Sequence, residues 1–246
     1  MSNSEDNTLN YSIRDPYSSY AAMGEETRLR KAEKILSVVR SYVKLSECDL
    51  LDIGTGSGHI IQIISRECKS ATSVNLTDER IVKDGYTFRQ VEDVNLPFPN
   101  ESFHVVISNQ VIEHIPPQDI HLKEIHRVLK KGGIAYIATP SKYALIEPHF
   151  KLPFLSWLPR PLANVYVKFF SHKRFDIYPL TYGQLNRMSE KMFYINDMSV
   201  KIIKNPKEFN LDVFPRLQPI LKSMPTLLLT WLRTFFPSFI VILQKK

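Results

Sequence analysis

The segment Leu50-Leu-Asp-Ile-Gly-Thr-Gly-Ser-Gly58 constrains this chain more than any other. A short apolar run ends in an acid and then meets glycine at every second position, so a buried strand must turn tightly into the element that follows. Ile60-Ile-Gln-Ile-Ile64 opens a helix there. Gly54, Gly56 and Gly58 tolerate positive φ and let a ligand approach backbone N–H groups at the turn. The unit therefore reads as a cofactor cradle rather than a packing turn. Counted from Gly54, the third glycine of a G-x-G-x-x-G fingerprint falls on His59, which argues against a nicotinamide dinucleotide.

Strand and helix patterns alternate around this cradle. Apolar spacing predicts an amphipathic helix over 25–43, with its Arg and Lys residues on the other face. Strands follow at 49–53, 71–76, 86–91, 103–108 and 134–138, with a helix over 118–131 that starts after Pro117 and stops before Gly132. Residues 140–175 hold prolines between aromatics and read as an irregular packed segment. Beyond it are expected a helix over 181–192, a strand over 199–203, a core helix over 225–235 and a last strand over 238–243. Repeated β-α-β order implies right-handed crossovers and a mostly parallel sheet. At 246 residues, one domain is expected: an N-terminal arm and helix (1–45, the first 23 residues flexible or lid-like), a cofactor-binding core (46–140), and a substrate-facing insertion with C-terminal strands (141–246).

Four ordered motifs carry a resemblance over about residues 48–140. Asp52-x-Gly54-x-Gly56-x-Gly58 looks like motif I of the class I S-adenosylmethionine-dependent methyltransferases, and Glu92-Asp-Val-Asn-Leu-Pro-Phe-Pro-Asn-Glu-Ser-Phe-His-Val-Val106 resembles the same family's stretch before its fourth strand. Ser108-Asn-Gln-Val-Ile-Glu-His-Ile115 is similar to the segment that lines the cofactor, and Arg127-Val-Leu-Lys-Lys-Gly-Gly133 to the turn before the fifth strand. The resemblance implies a Rossmann-like seven-stranded sheet with helices on both faces and an antiparallel last strand, binding S-adenosylmethionine. It places Asp52, Gly54, Thr55, Gly56 and Gly58 at the amino-acid part of the cofactor, Asn75 at the ribose, Glu92, Asp93 and Val94 at the adenine, and Asn109 and Gln110 along the pocket. Asn75 stands where the family carries an acid, with Asp78 a possible helper. His104 replaces another acid and is expected to be structural. Some relatives hold a divalent ion in an E-x-x-E-H cluster; here the first acid is Gln110, and no metal is expected.

Methyl transfer is a displacement, so alignment of donor and acceptor in a desolvated pocket should carry most of the rate. A hydroxyl or carbon-acid acceptor would benefit from a base. His114, His149 and Glu113 are the candidates, with Glu147 behind them. Stretches around Thr139-Pro-Ser-Lys-Tyr and 147–160 are similar to bacterial methyltransferases of surface-glycan and lipid-linked sugar assembly.

Charge supports an anionic acceptor. Residues 1–140 carry 16 Lys and Arg against 19 Asp and Glu, whereas 141–246 carry 16 against 6, a net of +10. Arg160, Lys168, Lys173 and Arg174 are the expected phosphate contacts on a glycan, sugar-nucleotide or lipid-linked acceptor. The alternatives are a quinone-precursor methyltransferase and a catalytically weak cofactor-fold protein that binds an anionic partner. Nucleic acid is not expected, because Asn109-Gln-Val-Ile lacks the Pro-Pro-aromatic loop of amino-methylating enzymes. The start lacks secretory features and the apolar 225–243 stretch is interrupted, so a cytoplasmic protein with peripheral membrane contact at most is expected. Cys48 and Cys68 read as free buried thiols.

Overall fold

The computed structural model describes residues 24–171, 173–211 and 218–246. The expected lid-like arm over 1–23 lies outside the described residues. Helix α1 (Glu25–Arg40) leads into β1 (Asp49–Ile53), α2 (His59–Ser65), β2 (Ser70–Asn75), β3 (Thr87–Gln90), β4 (Phe103–Asn109), α3 (Gln118–Val128) and β5 (Leu129–Pro140). Then come α4 (Arg160–Ser171), α5 (Tyr182–Ser189), β6 (Phe193–Asp197), α6 (Ser199–Lys204), α7 (Gln218–Ser223), α8 (Thr226–Leu232) and β7 (Ser238–Lys245). The seven strands form one sheet in the order β3-β2-β1-β4-β5-β7-β6, parallel except where β7 runs antiparallel to both β5 and β6. The Rossmann-like sheet with an antiparallel last strand is thus as expected.

The two-residue period of the strands sorts side chains into two cores. Leu50, Val105, Ile107, Ile134 and Ile242 face α1, α2 and α6. Leu51, Val106, Ala135, Ile137, Val241 and Leu243 face α3 and α5. Both faces being covered explains why β4 carries the unbroken apolar run Val105-Val106-Ile107. A third, smaller core of Leu155, Ala163, Val167, Phe175 and Ile177 holds the segment after β5 together.

The strand expected over 199–203 is α6, and the strand lies earlier, at β6. Val-Lys-Ile-Ile imitates strand alternation, but Asp197 Oδ1 accepts the Ser199 N–H at 2.8 Å and starts a helix. Residues 160–171, expected as irregular, form α4; Arg160, Asn164, Lys168 and Ser171 follow helical spacing along one stripe, a period masked by the prolines at 159 and 161. The helix over 118–131 ends at Val128, because Leu129 already pairs with Phe103 and residues 130–133 form a bulge in β5. The helix over 225–235 is not a core helix: α8 buries Leu229 alone. Cys48 and Cys68 are free, but only Cys48 is buried.

Candidate functional site

β1 and β4 are neighbours where the strand order reverses, so their carboxyl ends flank a crevice at the edge of the sheet. The glycine loop sits there. Gly54 (φ 84°) donates its N–H to Val74 O at 2.9 Å, and a Cβ at this position would meet Val111 Cγ2 at 2.5 Å. Gly58 (φ 84°) has no more room, since its Cβ would lie 2.1 Å from Val82 O. Gly56 (φ 51°) differs: a Cβ would meet nothing within 4 Å, so its backbone faces open space. Thr55 is buried and donates to Val74 O.

Asp52 is buried below this loop and takes no hydrogen bond among the described residues; burial pushes its carboxyl up to about 7. A buried acid without a partner, beside backbone that faces open space, suits a ligand with a cationic centre and many hydrogen-bonding groups. The site therefore fits S-adenosylmethionine.

The remaining predicted contacts ring the same edge. Asn75, half-buried at the end of β2, donates Nδ2–H to Thr77 O at 2.9 Å. Asp78 is not a free helper: Arg80 Nε and Nη2 bind its carboxylate at 2.8 and 3.0 Å, which holds it far below the usual carboxylate range. Glu92 and Asp93 are exposed after β3, with Asp93 accepting from Asn95 N–H at 2.7 Å, and Val94 is half-buried. Asn109 ends β4, and Gln110 follows in the left-handed region at φ 60°, its N–H bonded to Ala138 O. His104 is structural, its Nδ1 accepting the Asp49 N–H at 3.0 Å.

Two residues beyond Val111 begins a buried polar cluster. Glu113, in a 3-10 turn (Ile112–His114), accepts from Thr139 Oγ1 at 3.0 Å and its other oxygen lies 3.5 Å from His149 Nε2. His149 Nδ1 is 2.8 Å from Glu147 Oε1, and the Phe150 N–H donates to Glu147 Oε2 at 2.6 Å. The His114 and His149 rings meet edge to face at 5.4 Å. Burial dominates the protonation of all four groups, raising Glu113 to about 8 and Glu147 to about 7, and lowering His149 to about 4 and His114 by less. The imidazole of His149 is accordingly neutral near pH 7, and the tautomer that donates from Nδ1 to Glu147 leaves an electron pair on Nε2. Glu113, His114 and His149 also offer ligand atoms within 4.8 Å of one another, a spacing a divalent ion could use.

Two features escaped the sequence. Thr139, buried at the end of β5, fixes Glu113. Arg28, assigned to the solvent face of α1, is 6% exposed and reaches across to Ser57 Oγ and to His59 Nδ1 at 2.9 Å, bracing the glycine loop. Its spacing to Ala32, Ile35 and Val39 places it on the buried stripe, a signal its charge concealed. Of the basic residues expected to meet phosphate, Arg160 is already engaged: it donates to Phe175 O and Ile177 O and covers the Tyr178 ring at 3.9 Å. Lys168, Lys173 and Arg174 are exposed. A cavity of about 430 Å³ lies between the ends of β5 and β7, lined by Ser141, Tyr143, Tyr182, Trp231, Arg233 and Phe239 among others.

Residues 51–137 match the family model described as a methyltransferase domain. Mouse arsenite methyltransferase is 30% identical over 126 residues, which span 42% of this chain and 33% of that one. The demethylmenaquinone methyltransferase of Chlorobaculum tepidum is 27% identical over 177 residues, 69% of each chain. The structure of an S-adenosylmethionine-dependent methyltransferase from Mesorhizobium loti superposes with a TM-score of 0.58 at 12% identity, covering 86% of this chain and 98% of the other. The matched stretch thus spans about a third of the mouse relative and two thirds of the bacterial one. With its motifs on the loops where such a cofactor fits, the chain carries a methyltransferase domain of the S-adenosylmethionine-dependent kind over residues 51–137.

Proposed function

We propose that this chain transfers a methyl group from S-adenosylmethionine to a hydroxyl oxygen of a small acceptor. The observation that carries this reading is the buried Glu147–His149 pair set against Glu113, which lies two residues beyond Val111, the neighbour of Gly54 in the glycine loop. The cofactor supplies an electrophilic methyl carbon. The chain's residues do the rest. Gly54, Thr55, Gly56 and Gly58 hold the amino-acid part beside Asp52, Asn75 takes the ribose hydroxyls, Glu92, Asp93 and Val94 take the adenine, and Asn109 and Gln110 close the pocket wall. His149 accepts the acceptor's hydroxyl proton at Nε2, and Glu147 stabilises the cation that forms. His114 packs against that ring, and Glu113 with Thr139 fixes its plane.

The acceptor we favour is a glycan, sugar-nucleotide or lipid-linked anionic group, drawn by the +10 charge of residues 141–246 and met by Lys168, Lys173 and Arg174. A quinone precursor is the second reading, favoured by the relative that matches over 69% of both chains and by the aromatic lining of the 430 Å³ cavity. Titration calorimetry with S-adenosylmethionine and its demethylated product, followed by methyl-release assays on sugar nucleotides, glycans and quinone precursors, tests the proposal. Micromolar binding lost in Gly56→Arg, with turnover on one class, supports it. Absence of binding leaves a cofactor-fold protein that serves an anionic partner instead.

A further inference from the structure

We propose that α4, α8 and the 3-10 turn between them in space (Leu155–Trp157) form one docking surface for the face of an anionic lipid bilayer. The proposal goes beyond the methyl-transfer reading and does not depend on it.

Helix α4 is apolar on the side that should be polar. Ala163 and Val167 pack inward on Leu155, while Leu162, Val165, Phe169 and Phe170 point out, with Val165 69% and Phe169 78% exposed. Single exposed apolar residues are ordinary, but four on one helical face are not. Helix α8 repeats the arrangement: Leu229 is buried, whereas Leu227 and Trp231, one turn apart, are 85% and 66% exposed. The two faces are joined by aromatic rings. Trp157, itself exposed, stacks on Phe235 with centroids 6.0 Å apart and planes at 27°; Trp231 meets the same Phe235 at 5.9 Å, and Phe154 meets Trp157 at 5.4 Å. Aromatic rings with one polar edge suit the boundary between headgroups and acyl chains.

Charge selects the occupant. Lys168 lies among the exposed side chains of α4, Lys173 and Arg174 follow the helix, and Lys151 precedes the turn; all four are exposed. Between 141 and 180 the acids are Glu147, which is buried, and Asp176. A second copy docked here would set Lys168, Lys173 and Arg174 against their own images with little acid to offset them. An anionic membrane offsets them and accepts the aromatics as well. At 12 residues, α4 reaches about 18 Å, short of the roughly 30 Å hydrocarbon core, so it lies in the plane of the surface. Among the described residues no helix is long and apolar enough to cross a membrane. Trp231 and Tyr143 line the 430 Å³ cavity, so docking would bring its mouth to the lipid surface.

The test is flotation of the full chain with vesicles of equimolar phosphatidylglycerol and phosphatidylcholine, and with phosphatidylcholine alone. Most of the protein should float with the anionic vesicles, roughly tenfold less with the neutral ones, and progressively less as salt rises. Phe169→Ser with Phe170→Ser, and separately Leu227→Ser with Trp231→Ser, should each cut the floated fraction severalfold while S-adenosylmethionine binding is unchanged, which also checks folding. Lys168→Glu with Lys173→Glu keeps the test open should an aromatic variant misfold, and should abolish anionic selectivity. Equal recovery with both vesicle types, or retention of anionic binding in all variants, would overturn the proposal. So would a dimer by light scattering that becomes monomeric in the Phe169/Phe170 variant, because the face would then belong to a second copy.

Discussion

Glu113 Oε1 and His149 Nε2 face each other across 3.5 Å inside the protein, while Thr139 holds the other Glu113 oxygen and Glu147 the other imidazole nitrogen. The row runs from the end of β5 through the turn after β4 into the segment that follows β5. Neither Glu113 nor Glu147 is exposed, so the protonation state of the row is coupled to the folded state.

The lowered pKa of His149 contributes stability that is complete above about 6.5 and lost as pH falls toward 4. The raised pKa of Glu113 acts with the opposite sign: its contribution is complete below about 4.5 and lost as pH rises through 8. Glu147 follows the same sign with an upper limit near 7. Between 6.5 and 8 the acids therefore act without the histidine, and urea denaturation should show stability falling as pH rises. Glu113→Gln should flatten that slope. An unchanged slope would mean that Glu113 is already ionised in the folded protein.

The glycine loop separates space from strain. Gly58→Ala should cost about 1–3 kcal/mol from its backbone conformation, and more from the contact with Val82 O. Gly56→Ala meets no neighbour and should cost about 1 kcal/mol from conformation alone. Gly56→Arg should leave the urea midpoint near that of Gly56→Ala yet abolish S-adenosylmethionine binding, because its side chain enters the open space a ligand would use. Midpoints measured beside calorimetric binding distinguish the two glycines.

Much of the sheet could be read from the residues, because a two-sided parallel sheet prints itself as short apolar runs, as in Leu50-Leu51 and Val105-Val106-Ile107. The errors fall where local pattern and tertiary contact disagree. Ser199–Lys204 alternates like a strand, but Asp197 captures its first N–H; β6 is an edge strand whose Tyr194 is exposed, so only half of its pattern is apolar. In α4 the stripe of Arg160, Asn164, Lys168 and Ser171 keeps a helical period, but the prolines at 159 and 161 make the stretch read as irregular. The sequence singles out Glu113 and His149 one by one, yet their meeting depends on the path of residues 141–180. No spacing in the sequence encodes that path.

Arg28 offers a cleaner check on how the loop is held. Its guanidinium reaches Ser57 and His59 from another helix. Arg28→Ala should weaken S-adenosylmethionine binding by about tenfold, near the 1.4 kcal/mol of a charge-assisted hydrogen bond, through a less ordered loop. Equal affinity in the variant would show that the loop holds its shape without α1.

Asn75→Asp sets two effects against each other. Asn75 donates to Thr77 O, a bond that Asp cannot make and that would leave two acceptors facing each other. A carboxylate, on the other hand, binds a pair of hydroxyls more strongly than an amide does. The net expectation is tighter S-adenosylmethionine binding, by less than about tenfold, since the gain of about 1.5–3 kcal/mol is partly offset locally. Unchanged affinity would show that Asn75 does not face the ribose.

The role of His149 separates most clearly in kinetics. If Nε2 takes the acceptor's proton, His149→Ala should lower turnover by about 10²–10⁴ while S-adenosylmethionine affinity stays within about twofold. The buried dyad predicts a further asymmetry: Glu147→Gln retains a hydrogen bond to Nδ1 but removes the charge that stabilises a protonated ring, so its loss should be smaller and should fade as pH falls below about 7, where Glu147 is itself neutral. A merely structural His149 would instead lower affinity, turnover and the urea midpoint together. A single series of variants, read by single-turnover rate and by calorimetry, therefore decides whether this row of buried groups moves a proton or only holds the segment after β5 in place.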